Sequence, residues 1–545
     1  MPTGDHPPKP GFSWILSAIL LLITVFLLWA PASLTPFWPP LVALIIVFAT
    51  HQAALGLGVA GLSGMILLSG RTPLALIPNW LTDHAFPAFS SPWHLGALVF
   101  TLLLGAFAAI LERGGGLLPL LLRRSSAPAH SQRRFLTGVF GLGLVCFFDG
   151  LANSLMVGRV ARPLSDRLKI PRALLAYLVD TTSSAVACVA FISTWIATQL
   201  SLIADGIAQL PIDTPAYQLF LRSIPQNFYC IFALLLAFLT IRRNWLIGPM
   251  SRASAHAKAD RGPLSDSADT KLWRALLPLL VLLLGVPLCF YILHRGPDIP
   301  PRFPVTLDKV TAAISSNVGP SAYVFGSFIA LLAAALCIPP RLRRETPRIA
   351  ATGALQLLPS LGILVLAWIL GSILVELETA KRIAALLGDR LPLAAFPAAI
   401  FALGCITSFV SGSSWGTMGI LMPLALPTIG PMALTQGLPP EFVESIAPAV
   451  IAAVFGGAVF GDHCSPYSDT TIVSALSCGV STSEHTITQL PYALISASVS
   501  LGCGYLFIAL GLNPLLALLL GTALLTAIVL LIPSVLQRDG RLTVD

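Results

Sequence analysis

Only 10% of the 545 residues are Asp, Glu, Lys or Arg, too few to cover the surface of a soluble protein of this size. The chain has no phosphate-binding Gly-Lys motif and no soluble ATPase-like region, so an ATP-driven pump is excluded and any transport must be gradient-driven. No CxxC pair occurs among the nine cysteines. They lie mostly in apolar stretches and read as small buried hydrophobes rather than disulfides or metal ligands. Runs such as LLLITVFLL (20–28) and LLPLLVLLLGV (276–286) do not alternate, which excludes a β-barrel.

What is present is apolar: 56% of residues, with a mean hydropathy of +0.84. This is a polytopic α-helical membrane protein whose first partner is the lipid bilayer. The net charge of +8 does not point to nucleic acid, because the basic residues gather in short loops. These are RR at 123–124, 133–134 and 242–243, and RLRRETPR at 341–348. That is the bias of cytoplasmic loops, and it places a multi-pass chain in a bacterial inner membrane with both termini cytoplasmic. Residues 15–29 before Ala30-Pro31-Ala32 imitate a signal peptide but read better as an uncleaved first span.

Apolar stretches predict about 12 spans of roughly 20 residues, near 12–33, 38–50, 53–70, 94–113, 172–200, 226–241, 274–295, 319–338, 351–375, 442–478, 490–511 and 514–534. Two further stretches are interrupted by polar, glycine-bearing tips: FFDGLANS at 147–154 and SFVSGSSWG at 408–416. The charge bias puts both ends of 135–165 on one side and both ends of 391–427 on the other, so each is expected to be a re-entrant hairpin. The helix after the first carries Tyr177 and Asp180-Thr181-Thr182, and the helix after the second carries Tyr467 and Asp469-Thr470-Thr471. This order predicts two inverted repeats. An N-terminal span occupies 1–34. The first repeat (35–243) holds hairpin 135–165 and broken helix 172–200, and a cytoplasmic loop follows at 244–273. The second repeat (274–512) holds hairpin 391–427 and broken helix 442–478, and a C-terminal span and tail close the chain at 513–545. The fold class is therefore all-α, each repeat carrying a re-entrant hairpin and a broken transmembrane helix.

An aspartate at mid-membrane costs about 2.5–3.5 kcal/mol on insertion scales, so intramembrane acids are functional candidates. Asp149, Asp180, Asp462 and Asp469 qualify, two in each half. Converging with Asn153, Thr181, Ser465, Ser468, Thr471 and carbonyls freed at helix breaks, they form a hard-oxygen site for Na+ rather than a transition metal. The same carboxylates can take protons, so cation and proton would compete. His463 has no second histidine at i+3 or i+4, so zinc is not expected; with Tyr467 it reads as hydrogen-bonding support for the broken helix. His51 and His94 read as interfacial residues at span ends. The second tip, Ser411-Gly412-Ser413-Ser414-Trp415-Gly416-Thr417, is neutral and rich in hydroxyls. It could hold a carboxylate at a helix N-terminus or complete a sodium shell. Trp195 and Trp415 are expected to line the site.

The segments GDHCSPYSDTTIVSA (461–475), Glu484-His485, Gln489-Leu490-Pro491-Tyr492-Ala493, SGSSWGTMGILMPLALP (411–427) and NSLMVGRVARPLSDRLKIPRALLAYLVDTTSSAVACVAFISTW (153–195) resemble the NhaC family of sodium/proton antiporters. The resemblance implies cation-coupled antiport by alternating access, with Na+ and H+ as transported ions and no organic cofactor. The family usually shows two adjacent acids and an aromatic at the first tip, where this chain has Asp149-Gly150-Leu151. Relatives also exchange organic acids or amino acids, so a small organic solute is the alternative cargo. A homodimer is compatible with this reading.

Overall fold

The computed structural model describes residues 10–29, 35–70, 78, 80–114, 131–253, 271–294, 303–306, 309, 313, 318–387 and 390–532. Among them all regular structure is helical. The helices used below are α1 (Pro10–Leu27), α2 (Trp38–Thr50), α3 (Ala53–Ser69), α4 (Pro92–Gly114), α5 (Ser131–Val145), α6 (Gly150–Arg167), α7 (Arg172–Val189), α8 (Thr194–Ile207) and α9 (Phe228–Arg243). In the second half they are α10 (Trp273–Leu293), α11 (Gly319–Cys337), α12 (Thr346–Leu355), α13 (Leu358–Glu376), α14 (Phe396–Ser411), α15 (Ser414–Thr435), α16 (Pro440–Cys464), α17 (Asp469–Cys478), α18 (Thr482–Val499) and α19 (Pro514–Leu531).

Ten helices among the described residues are long and apolar enough to cross a membrane, or eleven if the bent pair α7–α8 counts as one span. The number differs from the sequence expectation for two reasons. Both arms of the second hairpin are full-length apolar helices, and α1, α2 and α3 fall short of the length required. α2 and α3 turn back on each other at His51, which adopts a left-handed φ of 57°. A Cβ on Gly56 would meet Val47 and the Ala43 carbonyl, so the two short helices pack antiparallel.

The stretches at 135–165 and 391–427 each fold as two helices joined at the polar tip, and the second helix of each runs past the expected end. The first is α5–α6, and its base is closed by Gln132, whose side chain donates to the Leu168 carbonyl at 2.8 Å. The second is α14–α15. There Gln436 accepts from the Leu393 N–H at 2.9 Å and donates to the Leu391 carbonyl at 2.9 Å. Each second arm begins at a side-chain cap: Asp149 accepts from the Ala152 N–H at 2.6 Å, and Ser413 accepts from the Gly416 N–H at 3.0 Å. Such caps satisfy N–H groups that a helix start leaves open. Gly412 turns the second tip with φ +63°, and a Cβ there would stand 2.6 Å from the Tyr467 carbonyl carbon. Only glycine fits both constraints.

Both helices that follow the hairpins are broken. α7 ends at Val189 and α8 starts at Thr194 with a 41° bend, capped by Ser193. α16 ends at Cys464, and α17 starts at Asp469. The two Asp-Thr-Thr motifs nevertheless occupy different places. Asp180 sits mid-way along unbroken α7, whereas Asp469 opens α17 immediately after its break. The residue that opens the helix after the first break is Thr194.

α14 and α16 meet along a seam of small residues. A Cβ on Gly457 would lie 3.0 Å from the Gly404 Cα, and one on Gly461 would lie 2.4 Å from the Ser408 backbone. Ser408 Oγ donates to the Gly457 carbonyl at 2.6 Å and accepts from the Gly461 N–H at 3.0 Å. All nine cysteines are free, seven buried and two half-buried, as expected of small core residues. Of the sequence-level loop at 244–273, residues 254–270 lie outside the described residues. Its beginning packs against the second half, where the Ile247 N–H donates to the Tyr492 hydroxyl at 3.1 Å.

Candidate functional site

Hairpin tips and helix breaks meet at one small crevice. It is lined by Asp149 and Leu151 from the first tip, Thr194 and Trp195 from the first break, Trp415 from the second tip, and Asp469 and Thr470 from the second break, with Leu357 and Ser360 closing one side. Its free volume is about 10 Å³, on the order of what one water requires. The two tryptophans meet edge to face with ring centroids 6.4 Å apart, so Trp195 and Trp415 do line it.

The two acids in the crevice differ in freedom. Asp149 is buried and has both oxygens engaged: Oδ1 at the Ala152 N–H, and Oδ2 accepting from Thr194 Oγ1 at 2.8 Å. It ties the first tip to the first break, a tie doubled by the Thr194 N–H donating to the Phe148 carbonyl at 2.9 Å. Asp469 is exposed into the crevice, and its Oδ1 accepts from the Thr470 N–H at 2.8 Å.

Behind Asp469, the break is organised around Asp462. Asp462 is fully buried; Oδ1 accepts from Ser468 Oγ at 3.0 Å, and Oδ2 has no hydrogen-bond partner among the described residues. Its backbone carbonyl accepts from Thr471 Oγ1. Ser465 Oγ accepts from the Tyr467 N–H at 3.4 Å. Ser414 of the second tip neighbours the Asp462 carboxylate. The hydroxyls of Ser414 and Thr417 are buried and unpartnered among the described residues, whereas Ser411 Oγ accepts from the Ser413 N–H at 3.2 Å. An unpartnered buried oxygen costs about 1–3 kcal/mol, so this group holds uncompensated acceptor capacity.

Asp180, Asn153 and Thr181 do not line the crevice. They belong to a deeper polar cluster between the halves. Asp180 is 0% exposed. Its Oδ1 lies 3.1 Å from Ser474 Oγ, and its Oδ2 accepts from Gln489 Nε2 at 2.9 Å and lies 3.4 Å from His485 Nε2. Ser474 Oγ is also 3.0 Å from Ser154 Oγ. Asn153 donates to the Gly143 and Thr182 carbonyls, both at 2.9 Å, and so pins the first hairpin to α7. His463 stands at the edge of this cluster, its Nδ1 2.9 Å from the Tyr229 hydroxyl, which anchors the end of α16.

His51 caps the end of α2 and His94 lies in the first turn of α4, and both make specific tertiary contacts. His51 stacks on Tyr467 with centroids 4.4 Å apart and bonds to the Val410 carbonyl, so the turn between α2 and α3 presses on the second tip. His94 is buried, stacks on Trp368 at 3.9 Å and pairs with Asp205 at 3.1 Å. Both were read as interfacial because apolar runs start or stop beside them; tertiary packing covers those ends instead.

Residues 186–510, more than half of the chain, match the Na+/H+ antiporter family. The chain belongs to that family. It is thus a multi-pass membrane transporter of the antiport class. The matched region contains the second tip, Asp462, Asp469, His485 and Gln489; the first tip and Asp180 precede it. This antiporter is 29% identical over 492 residues to an uncharacterized protein of Haemophilus influenzae, covering 86% of the chain and 90% of that relative. It is 32% identical over 152 residues to an uncharacterized Na+/H+ antiporter of the same organism, covering 27% of the chain and 28% of the relative. Among solved structures, its fold is similar to the YdaH transporter of Alcanivorax borkumensis, with a TM-score of 0.54 at 16% identity over 84% of this chain and 89% of that one.

Thr194, Ser154, Ser474, His485 and Gln489 were not singled out as site residues from the sequence. For Ser154, Thr194 and Ser474 the available signal was a polar residue inside a mostly apolar stretch, whereas His485 and Gln489 lie in the polar stretch STSEHTITQ. His485 and Gln489 stand in a segment quoted for the family resemblance but carried no role there.

Proposed function

We propose that the protein exchanges Na+ or Li+ for H+ across the bacterial inner membrane by alternating access. The carrying observation is the crevice itself, where both tips and both breaks of a chain with two matched hairpin-and-broken-helix units converge on Asp149 and Asp469. The matching caps and glutamine-closed bases support two inverted repeats, an arrangement that places a carrier's site at mid-membrane. In this reading the cation enters at Asp469 and is completed by Asp462 through the break, with Ser465, Ser468, Thr471 and the second tip supplying oxygens. Asp149 fixes the opposing wall, and a proton on the carboxylates competes with the cation.

The test is internal pH in liposomes after a Na+ or Li+ pulse. Wild type is expected to expel protons on cation addition. Asp469→Asn should lose the response while eluting normally from a sizing column, and Asp462→Asn should lose it as well.

A second reading rests on a separate observation. A cavity of about 460 Å³ lies along the face of α6 that continues from Leu151 through Leu155 to Arg159, and it is lined by Arg113, Arg159 and Arg348 as well as Glu112 and Glu345. With the unpartnered hydroxyls of Ser414 and Thr417, this favours Na+- or H+-coupled exchange of a small carboxylate or amino acid. No pH response to either cation, with uptake of a labelled organic acid instead, would select this reading.

A further inference from the structure

The deeper cluster has a composition that the cation crevice does not explain. Every side chain around Asp180 is buried: Ser154, Thr181, Ser184, Ser474, His485 and Gln489 are all within a few per cent of zero exposure. Among the described residues, both ring nitrogens of His485, Gln489 Oε1, Asn153 Oδ1, Thr181 Oγ1 and Ser184 Oγ lack hydrogen-bond partners. The ion-pairing partner of Asp180 among the described residues is His485, at 3.4 Å. A buried carboxylate left without a counter-charge is strongly unfavourable, so this site requires an ion or a proton.

The surrounding titratable groups narrow the choice. From α6 come Asp149, held at the tip, and Arg162 and Asp166 at the far end. Arg172 is engaged there by Asp166 at 2.8 Å and by the Gly479 carbonyl at 3.1 Å. Arg162 is packed against Gly479. α7 itself adds Tyr177, which stacks on Tyr492 of α18 with centroids 4.6 Å apart. α9 contributes Tyr229 and Cys230, α17 contributes Asp469 and Cys478, and α16 contributes Asp462, His463 and Cys464. The π-turn after α18 carries Cys503 and Tyr505, Glu484 precedes His485, and Arg252 of the packed turn is exposed. Donors therefore surround Asp180, with an imidazole as the nearest titratable cation. Both Asp180 oxygens already accept from donors, Ser474 Oγ and Gln489 Nε2, and His485 stands beside them, so a proton shared with the imidazole fits better than Na+.

The geometry points to Asp180 and His485 as a proton-binding pair, separate from the cation crevice, that holds the two halves together when it is loaded. Asp180 belongs to the first half, and His485, Gln489 and Ser474 belong to the second. With one proton bound, as carboxylic acid beside neutral imidazole, the pair is neutral overall and suits a dry interface. When the proton leaves, a bare carboxylate remains between packed helices, and water can reach it only if α7 and α18 separate. Proton binding and helix packing are thereby linked. The inference adds a second titrating element to the exchange reading above.

Infrared difference spectra of the purified protein, recorded while the pH is stepped, test the pair directly. Wild type should show a protonated-carboxyl band that is absent in Asp180→Asn. In His485→Gln its midpoint should move upward by about one pH unit, the ~tenfold change in proton affinity that follows loss of a polar neighbour favouring the carboxylate form. Asp469→Asn should leave the band in place. In liposomes, His485→Gln should shift the pH profile of exchange while isotopic Na+/Na+ exchange stays within about threefold of wild type. If Asp180→Asn fails to fold, His485→Gln alone carries the test. A wild type without the band, or a His485→Gln protein with the wild-type midpoint and pH profile, overturns the pair. A wild type that keeps the band but shows no sodium-driven pH change refutes sodium/proton exchange and leaves the pair standing.

Discussion

Asp149 and Asp469 face the same space with unequal obligations. Asp149 caps α6 and accepts from Thr194, so its removal opens a helix start and a contact between elements. Asp149→Ala is expected to lower stability by about 1–2 kcal/mol, the usual range for a lost N-cap. Asp469 has one bond to its own neighbour and no packing role, so Asp469→Ala should stay within about 0.5 kcal/mol of wild type. Thermal unfolding in detergent separates the two, and equal losses would contradict the assignment of Asp469 as the free acid. Gly412 is a third case. A side chain there would combine a positive φ of +63° with a contact 2.6 Å from Tyr467, so Gly412→Ala should cost on the order of 2 kcal/mol or more. Tyr467 and His51, stacked beside it, would be displaced together. The four acids were legible because each interrupts an apolar run. The roles were not: which oxygen is free depends on partners such as Thr194, which lies 45 positions from Asp149.

At the scale of elements, the two helix–turn–helix units were readable from their polar tips. Their arms run further than the apolar patterns implied. α15 continues to Thr435 through Pro423, Pro427 and Pro431, residues that argue against helix in an isolated segment. Burial on nearly every side lets the surrounding helices compensate for the missing N–H groups. The Asp-Thr-Thr match suggested equivalent helices, yet equivalence lies in the hairpin followed by a break, not in the tripeptide. Gln436 closes the base of the second hairpin by both ends of its amide. Gln436→Ala should therefore raise hydrogen exchange at the Leu393 amide and loosen the start of α14, with little effect on the Gln132-closed base of the first. Faster exchange at both bases would show that the two hairpins are not independently fastened.

The whole molecule was read correctly as an all-helical membrane protein, since composition alone removes the soluble classes, and as a member of the antiporter family from its resemblance at segments such as 411–427 and 461–475. The span count was less accessible: the turn between 38–50 and 53–70 was read, but a run of apolar residues did not reveal that α1, α2 and α3 fall short of the length required. Contacts between distant parts were least accessible of all: Asp180 meets Gln489 across 309 positions. The large arginine-lined cavity lies on the same face of α6 as the crevice, with Leu151 lining the crevice and Leu155 the cavity. Leu155→Cys is accordingly expected to react with a membrane-impermeant thiol reagent in inside-out vesicles and not in right-side-out ones. The reverse pattern would place the basic loops outside.

The glycine seam between α14 and α16 bears on how such a carrier can rearrange. Where backbone meets backbone at Gly404 and Gly457, there are no rotamers to change and no interdigitated layer to slide over. Ser408 bonds to the main chain on both sides of the seam. In the alternating-access reading proposed above, the second hairpin and the broken helix beside it are expected to travel as one stiff plate. The give has to come from the opposite wall, where only side chains meet: Trp195 against Trp415, and Asp149 across the gap from Asp469.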